Sequence, residues 1–122
     1  MIKLLAQTRR PDITFCRNGR IFITASVVRT LGLCPGDSIN IAFHEEECLL
    51  FASQHHHGIG RHVAQCYQTK TGSRNFCANS VALCRAMLKA CNVNAPRAAF
   101  FVGQAITHLD RTYLPIIYKM PL

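Results

Sequence analysis

The sequence predicts a mostly β protein with short helices, and three observations support this. Short apolar segments alternate with polar residues, as in Ser38 to Phe43, where large apolar side chains occupy every second position. Turn-forming pairs such as Asn18-Gly19 and Pro35-Gly36 separate these segments. Hydrophobic residues make up 49% of the 122 positions, which is enough for a packed core and excludes a wholly disordered chain.

The first half of the chain predicts two short hairpins joined by one helix. Thr24 can act as the N-cap of a helix over about 25–31, which has an apolar face. Gly32 can adopt the left-handed conformation that ends such a helix. The predicted strands of this half are residues 13–16, 21–23, 38–43 and 48–52.

The second half repeats this order of elements, with a predicted helix over about 80–91. Arg74 to Ala82 and Arg20 to Val28 share Arg, Phe, Ser and Val at the same spacing, which is either a divergent repeat or a chance match. Pro115 makes the last strand an edge strand or the site of a bulge. The predicted strands of this half are residues 63–67, 75–77, 98–102 and 113–118.

These patterns divide the chain into a first repeat at 11–53, a linker at 54–60 and a divergent second repeat at 61–120. The linker contains His55 to His57, and His62 and Cys66 follow it. Consecutive histidines on an extended segment point to different sides, and the usual spacings of zinc ligands are absent. We therefore expect no metal site and no cofactor.

The chain is strongly basic, with a formal charge of +8 and a pI of about 9.5. Residues 11–53 are net acidic, whereas residues 54–122 carry eight basic residues against Asp110 alone. A basic excess of this size indicates a polyanionic partner, most often a nucleic acid.

Four segments form a pattern at characteristic spacing: Gly19–Ile23, Val27–Leu33, Pro35–Ile41 and Leu49–Leu50. In this pattern residues 13–52 resemble the AbrB/MazE-type swapped-hairpin domain. The resemblance implies a barrel in which two copies interleave their hairpins and bind duplex DNA. In that family the second copy comes from another chain, as in transcription regulators and antitoxins. It therefore implies either a homodimer or an intrachain pseudo-dimer whose second copy is the second half.

The resemblance also implies DNA contacts by Arg20, the arginine of the Gly-Arg pair, and by Arg29, which precedes Thr-Leu-Gly. Val28 and Thr24 depart from the family, which often has a basic residue and a proline at these positions. Because the first half is net acidic, we add two basic residues of the second half, Arg74 and Arg85. The alternative is that Arg20 and Arg29 are solvated or pair with nearby acids.

The sequence thus predicts a DNA-binding transcription regulator or accessory protein. The alternative is a protein-interaction module, antitoxin-like or part of an assembly, that keeps the barrel without DNA binding; the acidic Glu45 to Glu47 favours it. Base stacking is an alternative role for Phe22, Phe76, Tyr67 and Tyr113, but Phe22 and Phe76 are expected in the core instead.

An enzyme is not expected. The seven cysteines include no CxxC pair, and none has the surroundings of an activated nucleophile. No membrane-spanning stretch and no signal-peptide pattern are recognisable, so the prediction is a cytoplasmic protein whose partner is not a membrane.

Overall fold

The computed structural model describes residues 10–53 and 64–118, which form nine strands and two short helices. The strands are β1 (Ile13–Cys16), β2 (Arg20–Ile23), β3 (Ser38–His44), β4 (Glu47–Ser53), β5 (Ala64–Gln68), β6 (Phe76–Asn79), β7 (Arg97–Val102), β8 (Ile106–His108) and β9 (Arg111–Ile117). The helices are α1 (Ala25–Leu31) and α2 (Val81–Ala90). The predicted linker at 54–60 lies outside the described residues.

Eight of the strands form a closed antiparallel barrel in the order β4-β3-β5-β6-β2-β1-β7-β9. The barrel closes because β9 pairs with β4 as well as with β7. The remaining strand, β8, lies outside this circle and pairs with the first part of β9. The mostly β class predicted from the sequence is therefore confirmed.

The strand pairing has an internal regularity. It is unchanged when β1, β2, β3 and β4 are exchanged for β5, β6, β7 and β9, respectively. The pairs β1–β7 and β5–β3 correspond to each other, whereas β2–β6 and β4–β9 join each strand to its own counterpart. Strands before residue 54 and after residue 63 thus alternate in pairs around the barrel, and neither group closes it alone.

The interior is a single core that receives side chains from both groups of strands. Phe15, Ile21 and Leu50 are fully buried, and Cys66 and Leu114 come from the other group. They share the inside of the barrel because alternate residues of a strand point to the same face. The closed barrel therefore buries an apolar surface that either half would leave exposed.

The two helices follow the counterpart strands β2 and β6, but they begin differently. The hydroxyl of Ser80 accepts a hydrogen bond from the N–H of Leu83 at 3.1 Å and so caps α2. Thr24 occupies the N-cap position of α1, yet its hydroxyl donates to the carbonyl of Asp12 at 3.0 Å. The prediction that Thr24 precedes α1 is confirmed, while its side chain holds β1 rather than capping the helix.

Gly32 ends α1 at φ 66°, as the sequence predicted. Pro115, in contrast, does not lie in an edge strand, because β9 has described neighbours on both sides. It falls between the residues of β9 that pair with β8 and those that pair with β7, where one fewer N–H donor is needed.

Truncating a buried phenylalanine should destabilise the barrel strongly. The ring of Phe15 is 0% exposed and packs edge-on against Phe100 with 6.1 Å between centroids. We expect Phe15→Ala to lower the free energy of unfolding by about 3–5 kcal/mol. Phe43, which is 63% exposed, provides the matched control, and Phe43→Ala should change it by less than about 0.5 kcal/mol. Urea denaturation measures both, and equal losses would contradict this core.

A second substitution tests how the β1–β2 turn packs on α2. Gly19 has φ +103°, and a Cβ atom there would lie 2.7 Å from Cγ2 of Val81 and 3.1 Å from its backbone nitrogen. Gly72 has φ +81° with nothing within 4 Å. Both Gly→Ala variants incur backbone strain, so the extra loss in Gly19→Ala, about 1–3 kcal/mol, isolates the contact. Equal melting temperatures in calorimetry would show that the turn does not press on the helix.

Candidate nucleic-acid interface

All four arginines predicted from the sequence have exposed side chains. Arg20 is the first residue of β2, Arg74 lies in the β5–β6 turn, and Arg29 and Arg85 lie on α1 and α2. Within residues 10–53 and 64–118, the side chains of these four arginines form no ion pair; the pair found there joins His44 and Glu45 at 3.7 Å. The alternative in which Arg20 and Arg29 pair with acids is therefore not what the described residues show.

Arg29 and Arg85 occupy equivalent positions in the two helices. Arg29 and Arg85 each lie five positions after an N-cap residue, Thr24 and Ser80, respectively. Arg20 and Arg74 are not related in this way, because Arg20 begins β2 whereas Arg74 precedes β6 by two residues. The sequence match aligns residues 54 positions apart, such as Arg20 and Arg74, whereas the two N-cap residues are 56 positions apart.

The four arginines lie in two groups, one at each end of the β2–β6 ladder: Arg20 with Arg85, and Arg74 with Arg29. Arg20 pairs with Asn79, and its carbonyl contacts the Sγ of Cys84 at 3.6 Å, so it lies beside the helix that carries Arg85. At the other end, the Oδ1 of Asn75 accepts from the N–H of Ala25 at 2.9 Å. This bond places the turn of Arg74 at the start of the helix that carries Arg29.

The two groups are thus separated by the length of the ladder. Its four residue pairs, Arg20↔Asn79 to Ile23↔Phe76, span about 10 Å at the usual rise per residue. The structure therefore brings Arg20 near α2 and Arg74 near α1, but it does not gather the four arginines into one cluster.

Two aromatic rings lie on the outer face between these groups. Phe22 is 41% exposed, and its ring centroid lies 5.9 Å from the guanidinium carbon of Arg20. Tyr67 is 51% exposed, and both residues pair with Cys77 of β6, so they flank it in one row. A surface of exposed aromatic rings and arginines can contact both the apolar and the anionic parts of a partner.

The expectation that Phe22 belongs to the core is wrong, whereas Phe76 is 5% exposed as expected. Ile21 and Ile23 fill the inner face of β2, so the residue between them must point outward. The alternation of residues in β2 indicates that Phe22 points outward. The sequence match of Phe22 with Phe76 favoured a buried ring instead, and that inference is wrong for Phe22. Tyr113 is half-buried and packs on Phe51 with 5.5 Å between centroids.

Acidic residues are separated from most of this region along the chain, although Asp37 and Asp110 line a pocket together with Leu31 and Gly32 at the end of α1. Residues 13–36 and 64–108 contain none. Asp12 is 3% exposed and accepts from the N–H of Val102, and Asp37 accepts from the N–H of Cys34. The others lie in or beside the two hairpin turns that join β3 to β4 and β8 to β9: Glu45, Glu46, Glu47 and Asp110.

The β3–β4 turn lies at the far end of β3 from the basic region. β3 pairs with β5 only through Ser38 and Ile39, and five more residues follow before the turn. At about 3.3 Å per residue, this places the acidic turn more than about 15 Å from the β5 pairing along the strand.

Arg17, in the β1–β2 turn, is a further exposed arginine, and it contacts the loop after α2. Its Nη2 donates to the carbonyls of Val93 at 3.4 Å and Ala95 at 3.3 Å, in the loop after α2. No local pattern could reveal this contact, because the partners lie more than 70 positions apart in the chain.

Three of the cysteines, Cys48, Cys66 and Cys84, are buried as small core residues. Burial raises the pKa of the Cys66 thiol to about 12, with smaller contributions from Asp37 and Cys77, and raises that of Cys84 to about 11. Thiols with such pKa values are protonated at neutral pH and therefore poor nucleophiles. No group of three metal-ligating side chains occurs among the described residues, and the histidines at 55–57 and 62 lie outside them.

Comparison with known proteins gives no match, since neither a family model, nor a curated protein, nor a solved structure is significantly similar to the chain. The resemblance to the swapped-hairpin family thus stays a prediction from the residues that carry it. Neither of the two described helices has the length and apolarity needed to cross a bilayer.

Thiol labelling tests whether any buried cysteine is activated. Cys34 is exposed, whereas Cys66 and Cys84 are buried. With a maleimide at pH 8, we expect Cys34 to react first and the two buried thiols to react only on unfolding, because the thiolate is the reacting species. Mass spectrometry of digested protein locates the label, and Cys34→Ser is the control. Rapid labelling of Cys66 or Cys84 in the folded protein would point to an enzyme nucleophile.

Proposed function

We propose that the protein binds double-stranded DNA through its exposed basic residues, as a transcription regulator or accessory protein. The observation that carries the proposal is the separation of charge. The ladder β5-β6-β2-β1 and α2 carry basic residues and no acidic ones, while three of the exposed acids, Glu45 to Glu47, lie in or beside the β3–β4 turn, far along β3 from its pairing with β5. The contacts proposed are Arg20, Arg29, Arg74 and Arg85.

Electrostatics gives the proposal a quantitative form. Each arginine that neutralises a phosphate releases a condensed counterion, which lowers the log–log slope of affinity against salt by about 0.9. Four such contacts therefore correspond to a slope near −3.6. Exposed arginines without described ion-pair partners do not have to break a salt bridge before they bind.

We further propose that residues 11–53 and 61–120 are divergent copies of one swapped-hairpin unit, which together form an intrachain pseudo-dimer. Support comes from the strand pairing, which is unchanged by exchange of the two groups, and from the recurrence of Arg29 and Arg85 after the two N-caps. Two-fold related basic helices suit duplex DNA, whose backbones are themselves related by two-fold axes. The resemblance of residues 13–52 to AbrB/MazE-type domains agrees with both proposals.

Fluorescence anisotropy with a random-sequence duplex at several salt concentrations tests DNA binding. We expect the double variant Arg20→Ala/Arg74→Ala to weaken binding about tenfold and to reduce the salt slope by about 1.8, since two phosphate contacts are lost. Arg111→Gln is the control, because Arg111 adjoins Asp110 and lies 4.7 Å from the ring centroid of Phe51. It should change the salt slope by less than half as much.

Absence of DNA binding at low salt would contradict the proposal and favour the protein-interaction module. One observation supports that second candidate: Phe43, 63% exposed, stands beside the acidic β3–β4 turn. An apolar ring next to carboxylates suits a basic protein surface better than DNA.

A further inference from the structure

A pocket of about 420 Å³ lies between the β1–β2 turn, α2 from Arg85 onward and the loop that follows the helix. Three cationic side chains, Arg17, Arg85 and Lys89, line it together with apolar Leu88 and Val93. We propose that this pocket binds a small phosphomonoester of nucleotide size. The proposal goes beyond DNA binding and does not depend on it, since the two sets of residues share only Arg85.

The cations line one pocket without a compensating acid among its described lining residues. Arg85 and Lys89 are four residues apart and therefore neighbours on one face of α2. No carboxylate occurs among the described residues that line the pocket, and residues 64–108 contain no acid at all. Like charges repel in this arrangement, and a bound anion would reduce the repulsion.

Arg17 is already positioned for a ligand. Two carbonyls, those of Val93 and Ala95, hold its Nη2, and its backbone N–H donates to the carbonyl of Pro96 at 2.7 Å. These bonds leave the hydrogens on Nε and Nη1 for another acceptor, because a guanidinium has five N–H donors. A side chain restrained in this way loses less conformational entropy on binding than a free one.

Cations near the end of a helix can also serve the helix itself, by balancing the partial negative charge of its C-terminus. That charge is about half an electron, whereas three full positive charges line the pocket. Three of the last four carbonyls of α2 moreover already accept hydrogen bonds, since the N–H groups of Cys91, Asn92 and Val93 donate to those of Met87, Lys89 and Leu88, respectively. Helix capping therefore does not account for all three cations.

The chemistry of the lining defines the ligand class. Guanidinium and ammonium groups match the terminal oxygens of a phosphomonoester, which carries close to two negative charges at neutral pH. The volume falls within the range of about 300–1,000 Å³ that is typical of small-ligand sites and exceeds what a phosphate alone needs. Leu88 and Val93 can contact the apolar part of the ligand, and the amide of Asn92 can hydrogen-bond to it.

Isothermal titration calorimetry of the full chain at low salt tests the proposal, with AMP, inorganic phosphate and adenosine as probes. We expect AMP to bind at one site and adenosine to bind at least about tenfold more weakly, because only AMP carries the phosphate. Arg17→Ala and Lys89→Ala should each weaken AMP binding about tenfold. Lys89→Ala is included because loss of Arg17 could also loosen the loop after α2. Lys70→Ala removes an exposed lysine outside the pocket and should leave AMP affinity unchanged.

Three outcomes would overturn the site: no heat with millimolar AMP, equal affinity for AMP and adenosine, or equal loss in Lys89→Ala and Lys70→Ala. Duplex DNA is titrated in parallel to separate the sources of phosphate. If DNA binds but AMP does not, the small-ligand site is wrong while the proposed function stands. If Arg20→Ala/Arg74→Ala weakens DNA binding about tenfold and leaves AMP affinity unchanged, AMP binding does not depend on the DNA contacts of Arg20 and Arg74.

Discussion

The four residue pairs between β2 and β6 are the constraint on which the rest of the barrel depends. They join strands from the two parts of the chain at the centre of a continuous sheet and place Ile21 and Ile23 over the shared core. A ladder this short contributes few hydrogen bonds. Its strength comes from the apolar side chains on its inner face, which neither part of the chain could bury alone.

The same ladder determines where the basic groups stand. Each of its strands leads directly into a helix through an N-cap residue, Thr24 or Ser80, so the ends of the ladder position α1 and α2. The positions of Arg29 and Arg85 follow from the positions of these helices, and Arg20 lies on the ladder itself. The outward row that contains Phe22 is equally a product of the ladder, since its inward neighbours are fixed by the core.

Local features of the fold could be predicted from the sequence, and long-range ones could not. Alternating apolar residues and Gly32 predicted most strands and the bounds of α1, because these signals act within a few positions. The pairing of β1 with β7 joins residues more than 80 positions apart, and no local pattern encodes it. β8 is three residues long with every side chain exposed, so it carries no hydrophobic periodicity to detect. Among the site residues, exposure of the arginines followed from their charge, but the contact of Arg17 with the loop after α2 required the folded chain.

The interleaved order of the strands has a consequence for how the protein is made. β1 and β4 reach their second partners, β7 and β9, only after residues up to Ile117 have been synthesised. Because synthesis proceeds at about 5–20 residues per second, the edges of the strands up to Ser53 stay unpaired for several seconds while the later strands are synthesised. Pairings this distant in sequence are slow to form even in the finished chain. Nascent-chain chaperones thus have a clear interval in which to act on this protein.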